Sequence, residues 1–317
     1  MNYRLLGSTG LRVSALSLGT ASLGLDYGIA APGEFGRPDE EAAVHLVRAA
    51  LDRGITLIDT APAYGNAERI VGRAIRSDSR AIIATKVSPP QLDAAGSGVG
   101  PTAHGGSQLQ RSLESSLRAL NRDVLDIVQV HNATRELIES PAMTDALLDV
   151  KRRGLLRVLG ATVYGEDAAL AVVHSGAYGV MQVALNALDR RMMRKVIPAA
   201  AASGIGVVVR SALLKGALTS KAQWLPDALA ALHDASLRAR DTLAGGSWDR
   251  LPGVAVRFCL AAPHVASVLA GPRTIAELDI ALEAEAAGPL DGPTLTRAGE
   301  LAIDDERLLD PSCWPVP

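Results

Sequence analysis

The stretch ITLIDTAPAYG, residues 55–65, decides how this chain is read. Four apolar or β-branched residues run into an acid, Asp59, and the chain turns through Thr60, Ala61, Pro62 and Ala63 to Tyr64. A carboxylate at the end of a buried strand is costly to desolvate unless a cation meets it. A tyrosine five residues on, just past a proline turn, can fold back beside that acid. The pair then needs a lysine or histidine to complete acid–base chemistry, and the next two strand-like runs supply both. Lys86 ends AIIATK and His131 ends DIVQVH.

Outward from this stretch the chain keeps a two-beat rhythm. A hairpin is expected over 3–13, turning at Gly7–Gly10. Strand-like runs are ALSLGT (15–20), ITLIDT (55–60), AIIATKV (81–87), DIVQVH (126–131), LRVLGA (156–161), GVMQVAL (179–185), IGVVVRS (205–211) and ASVLAG (266–271). Helical periodicity separates them. The first helix is capped by Asp39, carries Ala43, Leu46, Val47, Ala50 and Leu51 on one face, and stops at Gly54. Others are expected near 66–76, 107–121, before Gly154, 166–174, 190–203, 226–246 and 248–262, with closing helices at 274–286 and 292–302.

Eight short apolar strands alternating with helices imply parallel βαβ units. Eight such units point to a closed (β/α)₈ TIM barrel with an N-terminal β-hairpin and a C-terminal helical and loop extension, the whole of 1–317 forming one domain. An open doubly wound sheet would carry a GxGxxG after the first strand, and there is none. In a barrel the site lies at the C-terminal strand ends. Asp59, Lys86 and His131 end strands two, three and four, and Tyr64 follows strand two, so one rim holds all four.

Composition narrows the function class. With 32 basic and 34 acidic residues among 317, the net charge of −2 gives no polyanion-binding surface, so neither nucleic acid nor membrane is expected as a partner. Cys259 and Cys313 lack metal-ligand spacing, and no metal is expected. The start MNYRLLGSTG has no apolar signal core, and no run reaches the roughly 18 apolar residues of a membrane span. A cytoplasmic protein is the expectation.

Taken singly, a strand-end lysine, aspartate or histidine is commonly structural. Three successive strand ends carrying Asp, Lys and His, with a tyrosine between, are much harder to assign to chance. The order of YRLLGSTGLRVSALSLGT, ITLIDTAPAYG, ATKV, LDIVQVH and VLAGPRTIAEL resembles the aldo-keto reductase family across nearly the whole length. That resemblance implies a barrel that binds a nicotinamide cofactor without a Rossmann domain and reduces carbonyls to alcohols. It also implies a catalytic tetrad of Asp59, Tyr64, Lys86 and His131. Hydride addition leaves charge on oxygen, so an acid must stand at that atom. Tyr64 would be that acid, with Lys86 lowering its pKa, Asp59 holding Lys86, and His131 orienting the carbonyl.

For the cofactor, the resemblance implies NADP, with NAD possible. It assigns Gly19, Thr20, Asp59, Thr162, Gln182, Arg210, Ser211, Leu213, Lys215, Gly271, Arg273 and Glu277 to that site. Three positions depart from the family pattern. Leu185 stands where a tyrosine precedes Asn186, Val163 replaces an asparagine, and Arg210 replaces a tyrosine whose ring stacks on nicotinamide. A guanidinium can also lie flat on a π-system. Its arginine–serine pair resembles a subgroup associated with sugar-like substrates. In GPRTIAEL, Arg273 can pair with a 2′-phosphate, and Thr274 with Glu277 can form an ordinary capping box.

Substrate contacts are expected from loops 21–38 and 88–106 and from the tail at 303–317. The second loop, rich in Gly and Pro, is expected to move and to order over ligand. Tyr27, Phe35 and Trp314 are candidate lining residues. Beside an NADPH-dependent reductase of an aldehyde, ketone or sugar-like carbonyl, three alternatives stand: a dehydrogenase running in reverse, a cofactor-binding regulatory subunit, and an unrelated phosphate-binding barrel lyase or isomerase.

Overall fold

A computed structural model describes residues 1–76, 80–88 and 103–316, with 103–108 described by backbone alone. Two short strands, β1 (Tyr3–Leu5) and β2 (Arg12–Ser14), pair antiparallel. Eight parallel strands follow: β3 (Leu16–Gly19), β4 (Leu57–Asp59), β5 (Ile82–Val87), β6 (Leu125–Ala133), β7 (Leu156–Val163), β8 (Val180–Ala184), β9 (Gly206–Arg210) and β10 (Val265–Ala270). They close in chain order, with β10 bonded to both β9 and β3. The expected TIM barrel is therefore present, with its N-terminal hairpin and its helical C-terminal region.

Two apolar layers follow from strand periodicity, since alternate side chains face opposite sides. Inside the barrel Leu57, Ala84, Ile127, Val158, Val180, Val208 and Ala266 meet Leu6 and Val13 of the hairpin, which closes the N-terminal end. The larger layer lies between strands and helices. Its helix faces match the expected spacing: Ala43, Leu46, Val47, Ala50 and Leu51 are all buried, and the Asp39 side chain accepts from Ala42 N at 2.8 Å as cap.

Element bounds differ where local chemistry intervenes. The helix expected over 190–203 is two, Arg191–Arg194 and Val196–Ala202, broken at Lys195. Pro198 explains the break, because its ring clashes with the carbonyl four residues back. The expected 55–60 strand shrinks to Leu57–Asp59, since Thr60 already belongs to the turn toward Tyr64. The helix expected from 107 begins at Ala103. The 303–317 tail, expected as loop, contains a helical turn at Glu306–Leu309. Among the described residues no helix is long and apolar enough to cross a membrane.

Candidate functional site

Asp59 and Lys86 are 3% and 1% exposed at the C-terminal ends of β4 and β5. Lys86 Nζ donates to Asp59 Oδ1 at 2.5 Å and to the Thr60 carbonyl at 2.9 Å. The other carboxylate oxygen, Oδ2, accepts from Gln182 Nε2 at 2.8 Å and Gln129 Nε2 at 3.1 Å. An ion pair so enclosed survives only because every charged atom finds a partner. Burial alone pulls the Lys86 pKa down, but Asp59 and Tyr64 outweigh it and the net shift is upward. Lys86 is an ammonium.

Tyr64 sits over this cation, with Nζ 4.7 Å from its ring centroid. His131 meets the same ring edge-on, centroids 6.0 Å apart at 85°. The four expected residues are thus gathered at one rim. Burial, reinforced by Lys86, pushes the His131 pKa down to about 4, so the imidazole is neutral near neutral pH. Tyr64 departs from expectation. Burial raises its pKa more than Lys86 lowers it, so the net shift is upward rather than downward. A phenol largely withdrawn from water is harder to ionise, even beside a cation.

The Tyr64 turn is held from two sides. A Cβ on Gly24 would lie 1.8 Å from the Tyr64 carbonyl oxygen, so only glycine allows that approach. On the other side Thr85 Oγ1 donates to Glu68 Oε1 at 2.6 Å, tying the helix Ala67–Ile75 that follows Tyr64 to the strand that bears Lys86. Neither Glu68 nor Gln129 was expected in the site. Gln129 was legible in retrospect: it precedes His131 by two in β6, and residues two apart share a strand face.

At the opposite side of the mouth, the Arg210 guanidinium donates to the carbonyls of Gln182 (3.1 Å) and Val163 (3.0 Å). One face lies 4.2 Å from the Tyr164 ring centroid. Thr162 Oγ1 accepts from Asn132 N at 2.7 Å, holding the left-handed residue that follows His131 (φ 50°). Asn186, beside Leu185, spends its side chain on the backbone of Ser211, Leu188 and Asp189. Tyr27 is 42% exposed, and desolvation, with Tyr164 and Tyr64 close by, pushes its pKa up to about 12. Phe35 is exposed, whereas Trp314 is 5% exposed and belongs to the core. Most of the expected 88–106 loop lies outside the described residues.

Ser211, Leu214 and Lys215 all have left-handed backbone (φ 62°, 43° and 55°), followed by Gly216 at 107°. Left-handed non-glycine residues cost roughly 1–3 kcal/mol each, and they concentrate at functional sites. The Leu214 and Gly216 N–H groups donate to the Ser211 and Leu213 carbonyls at 2.9 Å each, so the loop is closed by its own backbone. Lys215 Nζ donates to the Val316 carbonyl at 3.2 Å. Gly19 and Gly271 face each other across β3 and β10: a Cβ on Gly271 would come 3.9 Å from the Gly19 oxygen. Thr20 is buried and donates its hydroxyl to the Asp59 carbonyl at 2.9 Å.

Beyond Gly271, Arg273 Nη1 donates to the Gly36 carbonyl at 2.9 Å and Nη2 lies 3.7 Å from Glu277. Thr274 caps the helix Ile275–Ala286, accepting from Glu277 N. The expected capping box does not close on Thr274. Glu277 instead accepts from the Arg273 N–H at 2.7 Å, one residue earlier. Lys221 Nζ also reaches Glu277, at 3.3 Å, so two cations share one carboxylate here. Nothing in the sequence around Lys221 marked it.

The strained loop at Ser211–Gly216, the Gly19–Gly271 pair and the two cations Arg273 and Lys221 on Glu277 complete the described surroundings of the tetrad. The profile of the "Aldo/keto reductase family" matches residues 15–301. Aldo-keto reductase YhdN of Bacillus subtilis is 31% identical over a match spanning 70% of this chain and 65% of that protein. L-galactose dehydrogenase of Arabidopsis thaliana is 27% identical, over 99% and 97% of the two chains. Among solved structures, the holo form of aldo-keto reductase AKR11C1 from Bacillus halodurans superposes with a TM-score of 0.77. It is 26% identical and covers 96% of this chain and 97% of that one.

Proposed function

Because the chain belongs to the aldo/keto reductase family, whose members are oxidoreductases that reduce carbonyls, we propose that it reduces an aldehyde, ketone or sugar-like carbonyl with NADPH. The observation that carries this reading is the buried Lys86 ammonium, bonded to Asp59 and set under the Tyr64 ring with His131 edge-on.

When bound, the reduced nicotinamide supplies the hydride. The protein supplies the rest. Tyr64 gives its hydroxyl proton to the substrate oxygen as charge develops there. Its upward pKa shift keeps it protonated and ready to donate, and the Lys86 charge stabilises the phenolate left behind. Asp59 keeps Lys86 charged. Neutral His131 can donate an N–H to the carbonyl oxygen and fix its direction. The residues that would hold the cofactor are Gly19, Thr20, Asp59, Thr162, Gln182, Arg210, Ser211, Leu213, Lys215, Gly271, Arg273 and Glu277, joined by Lys221. Turnover of a carbonyl panel with NADPH and NADH tests the reading. Absence of turnover with both, across the panel, would overturn it.

A second reading, oxidation of a sugar-like alcohol or lactol, is favoured by the full-length likeness to L-galactose dehydrogenase. The same four residues serve it in reverse, and rates with NADP⁺ against NADPH decide the direction.

Arg273 and Lys221 predict the coenzyme. Arg273→Ala is expected to weaken NADPH about 10- to 100-fold, as for loss of a hydrogen bond to a charged group, while NADH binding changes little. Fluorescence titration of each checks this. Equal losses would confine Arg273 to the helix start.

Arg210 predicts a bias between redox forms. The face not covered by Tyr164 is proposed to lie against the nicotinamide ring. A cation there favours the neutral reduced ring over the positively charged oxidised one, by roughly 0.5–2 kcal/mol on analogy with cation–π contacts. Arg210→Tyr should narrow the affinity gap between NADPH and NADP⁺, measured by calorimetry for each. A rise in KM with both affinities unchanged would place Arg210 on the substrate instead.

A further inference from the structure

Gln129 lies on β6 in register with Lys86 of β5 on one side and Gly160 of β7 on the other. It is 1% exposed. Its Nε2 donates to Asp59 Oδ2, while its Oε1 is buried and accepts no hydrogen bond from any described residue. Rotating the amide would set that oxygen against a carboxylate, so the orientation is fixed. An unpaired buried carbonyl is unfavourable, and an apolar side chain of the same length would avoid it. What the amide adds at this position is its N–H toward Asp59.

The barrel is shaped to admit this side chain. A Cβ on Gly160 would come 3.0 Å from Gln129 Cγ and 3.0 Å from the Val180 carbonyl oxygen, tighter than side chains normally pack. Glycine at 160 therefore leaves the room that Gln129 fills. Asp59 Oδ2 is then held from two strands, by Gln129 of β6 and Gln182 of β8, which leaves Oδ1 facing Lys86.

We propose that Gln129 is a positioning residue: with Gly160 making space for it, its amide fixes the Asp59 carboxylate and through it the direction of the Lys86 ammonium under Tyr64. This rests on the carbonyl-reductase reading of the site. Gln182 is also proposed to hold the cofactor, whereas among the described residues the Gln129 side chain hydrogen-bonds Asp59.

The test uses the full chain with Gln129→Met, which keeps length and volume but removes the amide. Loss of one hydrogen bond to a charged group, partly compensated by Gln182, predicts a fall in kcat of roughly 3- to 30-fold. KM and NADPH affinity should stay within about twofold, and the melting temperature should be unchanged or higher, because the unpaired Oε1 is removed too. Gln129→Glu, which places a second carboxyl against Asp59, should lower kcat further with NADPH affinity again unchanged. A Gln129→Met enzyme with wild-type kcat overturns the proposal. So does one whose only change is a lower melting temperature, which would make Gln129 structural. If the wild type itself turns over no carbonyl and matches Tyr64→Phe, the reading of the site fails instead, and the two failures are told apart.

Discussion

Tyr64→Phe is expected to lower kcat for carbonyl reduction by roughly 10²–10⁴-fold, the range for loss of a general acid, and to leave NADPH affinity nearly intact. Only the hydroxyl can deliver a proton to the substrate oxygen. The ring itself remains to cover Lys86 at 4.7 Å and to meet His131. The turn is held by Gly24 and by the Glu68–Thr85 bond, neither of which involves the hydroxyl, so the fold should be unaffected. Steady-state kinetics beside a fluorescence titration of NADPH provide the check. Near-wild-type turnover would remove Tyr64 from the chemistry.

Lys86→Met is expected to be damaging twice over. Removing one partner of a buried ion pair leaves an uncompensated charge and costs about 3–5 kcal/mol. Here that charge is Asp59, 3% exposed and left with two amide donors. Carbonyl reduction should fall at least as far as in Tyr64→Phe, since Lys86 is the cation set under the ring where the phenolate forms. Asp59→Asn combined with Lys86→Met should regain much of the stability, because no buried charge is then left alone, while remaining inactive. Denaturant melts of the single and double variants measure the first effect. A double variant no more stable than Lys86→Met would show that packing, rather than charge, dominates the pair.

The sequence by itself determined the barrel and the four residues at its rim. The reason is periodicity: eight apolar runs separated by helical spacing leave few ways to cover both faces of a parallel sheet. Asp59, Lys86 and His131 are polar interruptions at the ends of such runs, and a strand end in a closed barrel has one location. The Asp39 cap and the buried face of its helix were legible for the same local reason.

Only the tertiary structure decided what reaches across strands. Gln129 and Gln182 meet one carboxylate oxygen although 53 positions separate them, and no spacing rule predicts that convergence. Lys221 and Arg273 share Glu277 across a similar gap. Arg210 turned out to be pinned by two carbonyls and stacked on Tyr164, which its replacement of a tyrosine could not convey. The Tyr64 pKa shifts upward, against the expected lowering, because a neighbouring lysine can be read from sequence, whereas the burial that outweighs it cannot. Charge is a property of the residue, but desolvation is a property of everything folded around it.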